Sequence, residues 1–165
     1  MVPDTDDIDR AVLNLLQADG RASIADLARA VGLSAAATHA RVRRLEGEGM
    51  IREYVALVDR ERAGFDLLCF VSVSLQLHRP KLVAGFPPRV VAMPEVLECH
   101  HVTGEYDYLL KVAVRNRHEL ERFIVTRLTP LPGVAKVLTS VVLSELKTTT
   151  ALPLSSTPLT REVSS

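Results

Sequence analysis

Three closely spaced arginines, Arg41, Arg43 and Arg44, with His39 just before them, are the densest cluster of chemistry in this 165-residue chain. Guanidiniums bind phosphate, or fork onto the O6 and N7 of guanine. Ahead of them stand Ser34, Ala36 and Ala37, small enough to let a helix tip approach base edges. A second cluster is Gly104-Glu105-Tyr106-Asp107, two carboxylates beside a glycine that suits a turn. A third is Cys99-His100-His101, with Cys99 and His101 on one face of a strand-like run. No second His or Cys cluster stands nearby to complete the roughly four ligands of a zinc site, so no metal is expected. Without a glycine-rich phosphate loop or a Ser/His/Asp or Cys/His motif, neither a catalytic residue nor a cofactor is expected.

The arginines need a helix to present them. Ser34 is a good N-cap, and Thr38, Val42 and Leu45 then fall on one arc at about 100° per residue, which makes that arc the buried side. The opposite arc carries Ala36, Ala37, His39, Ala40 and the three arginines. Alone, such a face is either a DNA contact or a solvated charge run, and the flanking sequence decides. Upstream, Ser23 with Asp26 forms a capping-box pattern, Ile24, Leu27, Ala28 and Val31 make an apolar stripe, and Gly32 supplies a C-cap. Two short helices across a glycine turn read as helix-turn-helix. A further helix, with Ile8, Val12, Leu15 and Leu16 in phase, precedes them after a loose start at residues 1–5. MIREYVALVD follows with an alternation that suggests one or two short strands, the appendage of a winged helix. Asp59 to Gly64 is the best linker.

Beyond it the rhythm changes. Asp66 to Leu77 alternates as a strand. Arg79 to Met93 starts as a helix, with a break expected near Phe86 because Pro87 and Pro88 remove helical hydrogen bonds. Two strands flank the turn Thr103-Gly104-Glu105, Asn116 caps a helix with Leu120, Phe123, Ile124 and Leu128 on one face, and Val134 to Leu146 is a last strand. The order βαββαβ is ferredoxin-like. Its two helices cover one sheet face, and the apolar content of the other points to a second subunit. The expected fold is thus α+β: a winged helix-turn-helix over residues 1–58, a linker over 59–64, a ferredoxin-like domain over 65–147 and a Ser/Thr/Pro-rich flexible tail over 148–165.

Lys and Arg total 20 against 20 Asp and Glu, so any DNA contact comes from a local patch rather than bulk basicity. Cys69 and Cys99 lie in apolar runs and are expected as reduced thiols. No apolar run approaches the roughly 20 residues of a membrane span, and no secretory start is present, so a cytoplasmic protein without a membrane partner is expected.

The stretches IDRAVLNLLQADGRASIADLARAVGLS, RVRRLEGEGMI, ECHHVTGEYDYLLKV and LPGVAKVLTSVVL together resemble the leucine-responsive regulatory protein/AsnC family over about residues 6 to 147. The resemblance implies a transcriptional regulator that is not an enzyme. It would bind double-stranded DNA through its N-terminal domain and an amino acid or related effector through its C-terminal one, as a homodimer or higher oligomer such as an octamer. It puts the effector near Gly104, Glu105, Tyr106 and Asp107, with Thr139 and Ser140 as further partners. Glu105 stands where the family usually has Asp, and the Pro87-Pro88 pair departs from the usual uninterrupted helix. The chemistry agrees: a carboxylate of Glu105 or Asp107 suits an ammonium, and the N–H groups of the Gly104 turn suit a carboxylate. Siroheme decarboxylases resemble the same two-domain plan and offer an enzymatic alternative through His100 or His101. An amino-acid-sensing module without DNA binding is the other alternative.

Overall fold

Each of the first three helices begins at a side chain that accepts a backbone N–H. In this computed structural model, which describes residues 5–76 and 80–154 (of 80–83 the backbone only), Asp6 caps α1 (Asp7–Ala18). The Asp9 amide donates to Asp6 at 2.7 Å, and the Asp6 amide donates back to the Asp9 carboxylate at 3.2 Å, a reciprocal capping box. Ser23 caps α2 (Ile24–Val31) and Ser34 caps α3 (Ala35–Gly47). Gly32 ends α2 at φ 71°, the left-handed conformation a glycine adopts cheaply. The stripes then meet in one core of Val12, Leu13, Leu27, Val31, Val42 and Leu45. On α3 the buried residues are Thr38, Val42 and Leu45, as helical phase requires.

The second unit, Val58–Leu146, builds its own core. Its elements are β1 (Leu67–Leu75), α4 (Pro80–Val91), β2 (Val96–His101), β3 (Tyr108–Val114), α5 (Arg117–Arg122) continuing as a π-helical turn (Phe123–Leu128), and β4 (Val134–Val141). The strands pair antiparallel in the order β2-β3-β1-β4, the ferredoxin-like arrangement. Val71, Val73, Leu110 and Val112 on one sheet face pack with Phe86, Val90, Phe123 and Leu128 of the helices. On the other face, Phe70 sits opposite Lys111 and Ser140, and Ser72 opposite Leu109 and Leu138. Phe70 and Leu138 there keep 39% and 46% of their surface exposed.

Three expectations change. The helix does not break near Phe86: α4 runs through Pro87 and Pro88. A mid-helix proline costs about 3 kcal/mol. Burying Phe86, Val90 and Met93 against the sheet, at about 1.5–3 kcal/mol per side chain, offsets much of that. No wing forms among the described residues: residues 52–58 join none of their strand ladders, and Tyr54, Val55, Leu57 and Val58 stay exposed, because their alternation finds no partner strand there. The 59–64 segment is an ordered turn, with the Arg62 amide on the Asp59 carboxylate at 2.9 Å and Arg60 bonded to the Phe65 carbonyl. Finally, residues 147–154 are grouped with the first unit rather than hanging free, with Leu154 against its core. The expected loose residues 1–4, the end of the first strand at Leu77 and the tail from 155 lie outside the described residues.

Candidate functional site

Thr38 sits on the buried side of α3, and its hydroxyl donates to the carbonyl of the helix's own N-cap, Ser34, at 3.0 Å, which satisfies its burial. Its outward face carries Ser34, Ala36, Ala37, His39, Ala40 and Arg43, all exposed. Arg43 keeps 72% of its side-chain surface in solvent and meets Glu46 only at 3.6 Å.

Arg41 and Arg44 are arranged differently. Asp9, 1% exposed, receives Arg41 at 2.8 Å on one oxygen and Arg44 at 2.5 Å on the other, while Arg41 also reaches Asp6 at 2.7 Å. The pair therefore latches α3 to the start of α1, and two carboxylates balance two guanidiniums. Partial burial would raise the Asp6 carboxyl, but the Asp9 amide and the Arg41 guanidinium outweigh it and hold the group below its ordinary value. An open concavity of about 360 Å³ remains beside the latch, lined by Asp6, Ala40, Arg41 and Arg44. The latch leaves guanidinium N–H groups of both arginines uncommitted, since each has five donors. Of the three arginines expected on one outward arc, Arg43 keeps only its exposed contact with Glu46, whereas Arg41 and Arg44 are partly engaged by Asp6 and Asp9.

In the second unit, Gly104 lies in the β2–β3 connection at φ 122°, a conformation that favours glycine. Glu105 extends into solvent and meets Lys136 of β4 at 3.6 Å, and the Lys136 ammonium lies 5.4 Å from the centre of the Tyr106 ring. Asp107 turns inward instead. Its carboxylate accepts the Leu75 amide at 2.7 Å, and its own amide donates to Val73 at 3.0 Å, which ties the loop to the end of β1. Thr139 and Ser140 do not converge. Thr139 faces the helices opposite Val71, whereas Ser140 faces the open side opposite Phe70. Both lie three to four residues along β4 from Lys136, roughly 10–13 Å at about 3.3 Å per residue.

His100 and Lys111 both meet Glu98, at 3.0 and 3.1 Å, on the open sheet face, and they hold the Glu98 carboxyl below its ordinary value. His101 stacks on the Tyr108 ring at 4.9 Å. Cys69 and Cys99 are free thiols whose pKa burial raises.

Two family models match along the chain, the AsnC-type helix-turn-helix domain over residues 6–46 and the Lrp/AsnC ligand-binding domain over residues 68–152. The chain belongs to the Lrp/AsnC family. It is 41% identical over 149 residues to the Bkd operon transcriptional regulator of Pseudomonas aeruginosa, covering 90% of this chain and 97% of that one. It is also 41% identical to the leucine-responsive regulatory protein of Escherichia coli K12, over 87% of this chain and 88% of that one. Among solved structures, a Neisseria meningitidis transcriptional regulator in complex with L-methionine superposes with a TM-score of 0.88 at 34% identity, covering 92% of this chain and 97% of that one. As a member of the Lrp/AsnC family, this chain is a transcriptional regulator with a DNA-binding helix-turn-helix unit and a ligand-binding domain, and regulators of this kind are generally not enzymes. No helix among the described residues is long and apolar enough to cross a membrane.

Sequence reasoning missed three participants in these sites. Asp6 and Asp9 carry a local signal: Asp9 stands three and four residues before the core positions Val12 and Leu13, so it shares their face and requires a cationic partner. Lys136 carries none, because its meeting with Glu105 depends on how β4 and the distant loop are brought together.

Proposed function

We propose that this chain binds double-stranded DNA with α3 in the major groove, works as a homodimer or larger assembly, and changes its assembly or DNA affinity when an amino acid occupies the Gly104–Asp107 region. The observation that carries the reading is the outward face of α3, with small residues at its tip and Arg43 uncommitted behind them. In this proposal Ser34, Ala36 and Ala37 approach base edges, and His39 and Arg43 contact bases or phosphates. Arg41 and Arg44 add a phosphate contact from the concavity beside their latch.

For the effector, Glu105 and Lys136 are opposite charges at 3.6 Å, both well exposed. An exposed pair of this kind is worth little, about 0–1 kcal/mol. A zwitterion therefore displaces it at small cost, with its ammonium on Glu105 and its carboxylate on Lys136 or the Gly104 turn, and Tyr106 beside it. Asp107 acts by shaping the loop. Self-association is supported by the half-exposed Phe70 and Leu138 on the face the helices leave uncovered. A protein with this function works in the cytoplasm, where the DNA is. The test is selection of bound genomic fragments, repeated with a panel of free amino acids that includes L-leucine and L-methionine. Discrete enriched fragments whose yield shifts with one amino acid are expected, and enrichment no better than random fragments would refute the reading.

A further inference from the structure

Residues 147–154 leave the ligand-binding unit and return to the helix-turn-helix unit. There the side-chain amide of Gln17 grips both polar groups of one residue: the Leu152 N–H donates to it at 2.7 Å, and it donates to the Leu152 carbonyl at 3.2 Å. One turn earlier on α1, the Asn14 amide donates to the Leu154 carbonyl at 3.0 Å, and Gln17 also meets Asn14 at 3.4 Å. Leu154 packs against the core that holds Val12 and Leu13. Reading backbone groups through a side-chain amide while seating alternate side chains is how extended peptides are recognised. We propose that this face of α1 is a peptide-docking surface whose occupant is the Leu152-Pro153-Leu154 segment of the same chain, and that the segment is a detachable second tether between the two units.

The chemistry favours detachment over permanence. Gln17 is exposed, Leu152 remains largely in solvent, and a single leucine, Leu154, is partly buried. Such a dock is weak as a free peptide, but a short tether supplies an effective concentration on the order of 1 mM, so an intrinsic Kd of about 0.1 mM keeps it roughly nine-tenths filled. The same numbers mean that a modest change at either end empties it. The dock also lies on the helix whose N-cap, Asp6, and first turn, Asp9, hold Arg41 and Arg44 of α3.

The test needs neither DNA nor effector. Hydrogen exchange on the full chain should show the amides of 149–154 slowed about tenfold in wild type. In Asn14→Ala/Gln17→Ala, and separately in Leu154→Asp, they should exchange at the rate of an unstructured peptide while α3 and the sheet exchange as before. A synthetic peptide of residues 147–154 at about 1 mM should speed exchange of the wild-type segment, and a scrambled one should not. Unprotected amides in wild type, equal protection in the variants, or no response to the peptide would overturn the proposal. So would protection that fades on dilution, which would assign the docked segment to another copy.

Discussion

Replacing Asp9 with alanine should unfold the helix-turn-helix unit far more readily than any change on the outer face of α3. The carboxylate is 1% exposed and accepts three hydrogen bonds, from Arg41, Arg44 and the Asp6 amide. Breaking a fully buried ion pair costs about 3–5 kcal/mol, but both arginines reach solvent and can rehydrate, and Arg41 keeps Asp6. Losing the capping-box acceptor adds about 1 kcal/mol. A net loss of about 3 kcal/mol follows. At about 4–8 °C per kcal/mol for a unit of this size, Tm should fall by roughly 12 °C or more. Asp9→Asn, which keeps the shape and one acceptor, should fall between wild type and alanine. Calorimetry with urea titration on the full chain, following the transition of the helical unit, measures both. A loss below about 0.5 kcal/mol for Asp9→Ala would refute the latch, and so would a double-mutant cycle with Arg41→Ala that shows no coupling.

The latch also gives a pH dependence. Asp6 sits below its ordinary value in the folded state, so its contribution is present above the unfolded value of about 3.9 and lost as pH falls further. The helical unit should therefore weaken below about pH 4, and Asp6→Asn should flatten that limb of the stability profile. Asp107→Ala should destabilise the ligand-binding unit by about 1–3 kcal/mol, because the Leu75 amide loses its acceptor; urea unfolding reads this. Glu105→Gln and Lys136→Met should instead leave stability within about 0.5 kcal/mol and weaken amino-acid binding by calorimetric titration. Unchanged affinity in both would remove the pair from the effector site. Phe70→Asp and Leu138→Asp should shift sedimentation toward monomer, and an unchanged assembly in both would clear the open sheet face of that role.

The parts of this molecule legible in its sequence are those set by local spacing. Ser23, Gly32 and Ser34 mark helix ends within a few residues of where they act, and Val42 with Leu45 fixes which side of α3 is buried. Alternation in the sequence also separates Thr139, in phase with Val137 and Val141, from Ser140, but which of the two faces meets the helices is decided by packing. What was not legible depends on distant partners. Asp107 meets Leu75 32 residues away, and nothing near either residue announces it. The proline rule at 87 and 88 is local and sound, and packing of Phe86 and Val90 overrides it. The Ser/Thr/Pro content after Lys147 describes an average, whereas two leucines facing Asn14 and Gln17 decide where the segment goes.

The claim that the outer face of α3 reads DNA is tested most directly by one comparison of wild type with Arg43→Ala, by retardation of a selected genomic fragment between 50 and 200 mM salt. The one ion pair of Arg43, with Glu46 at 3.6 Å, is exposed and worth about 0–1 kcal/mol, so Tm should change little. If Arg43 meets a phosphate, affinity falls across all sequences and the salt slope drops by about one. If it meets a guanine, discrimination at that base pair relaxes by about 1–3 kcal/mol. The same affinity, slope and specificity in the variant as in wild type, with His39→Ala equally silent, would contradict the account.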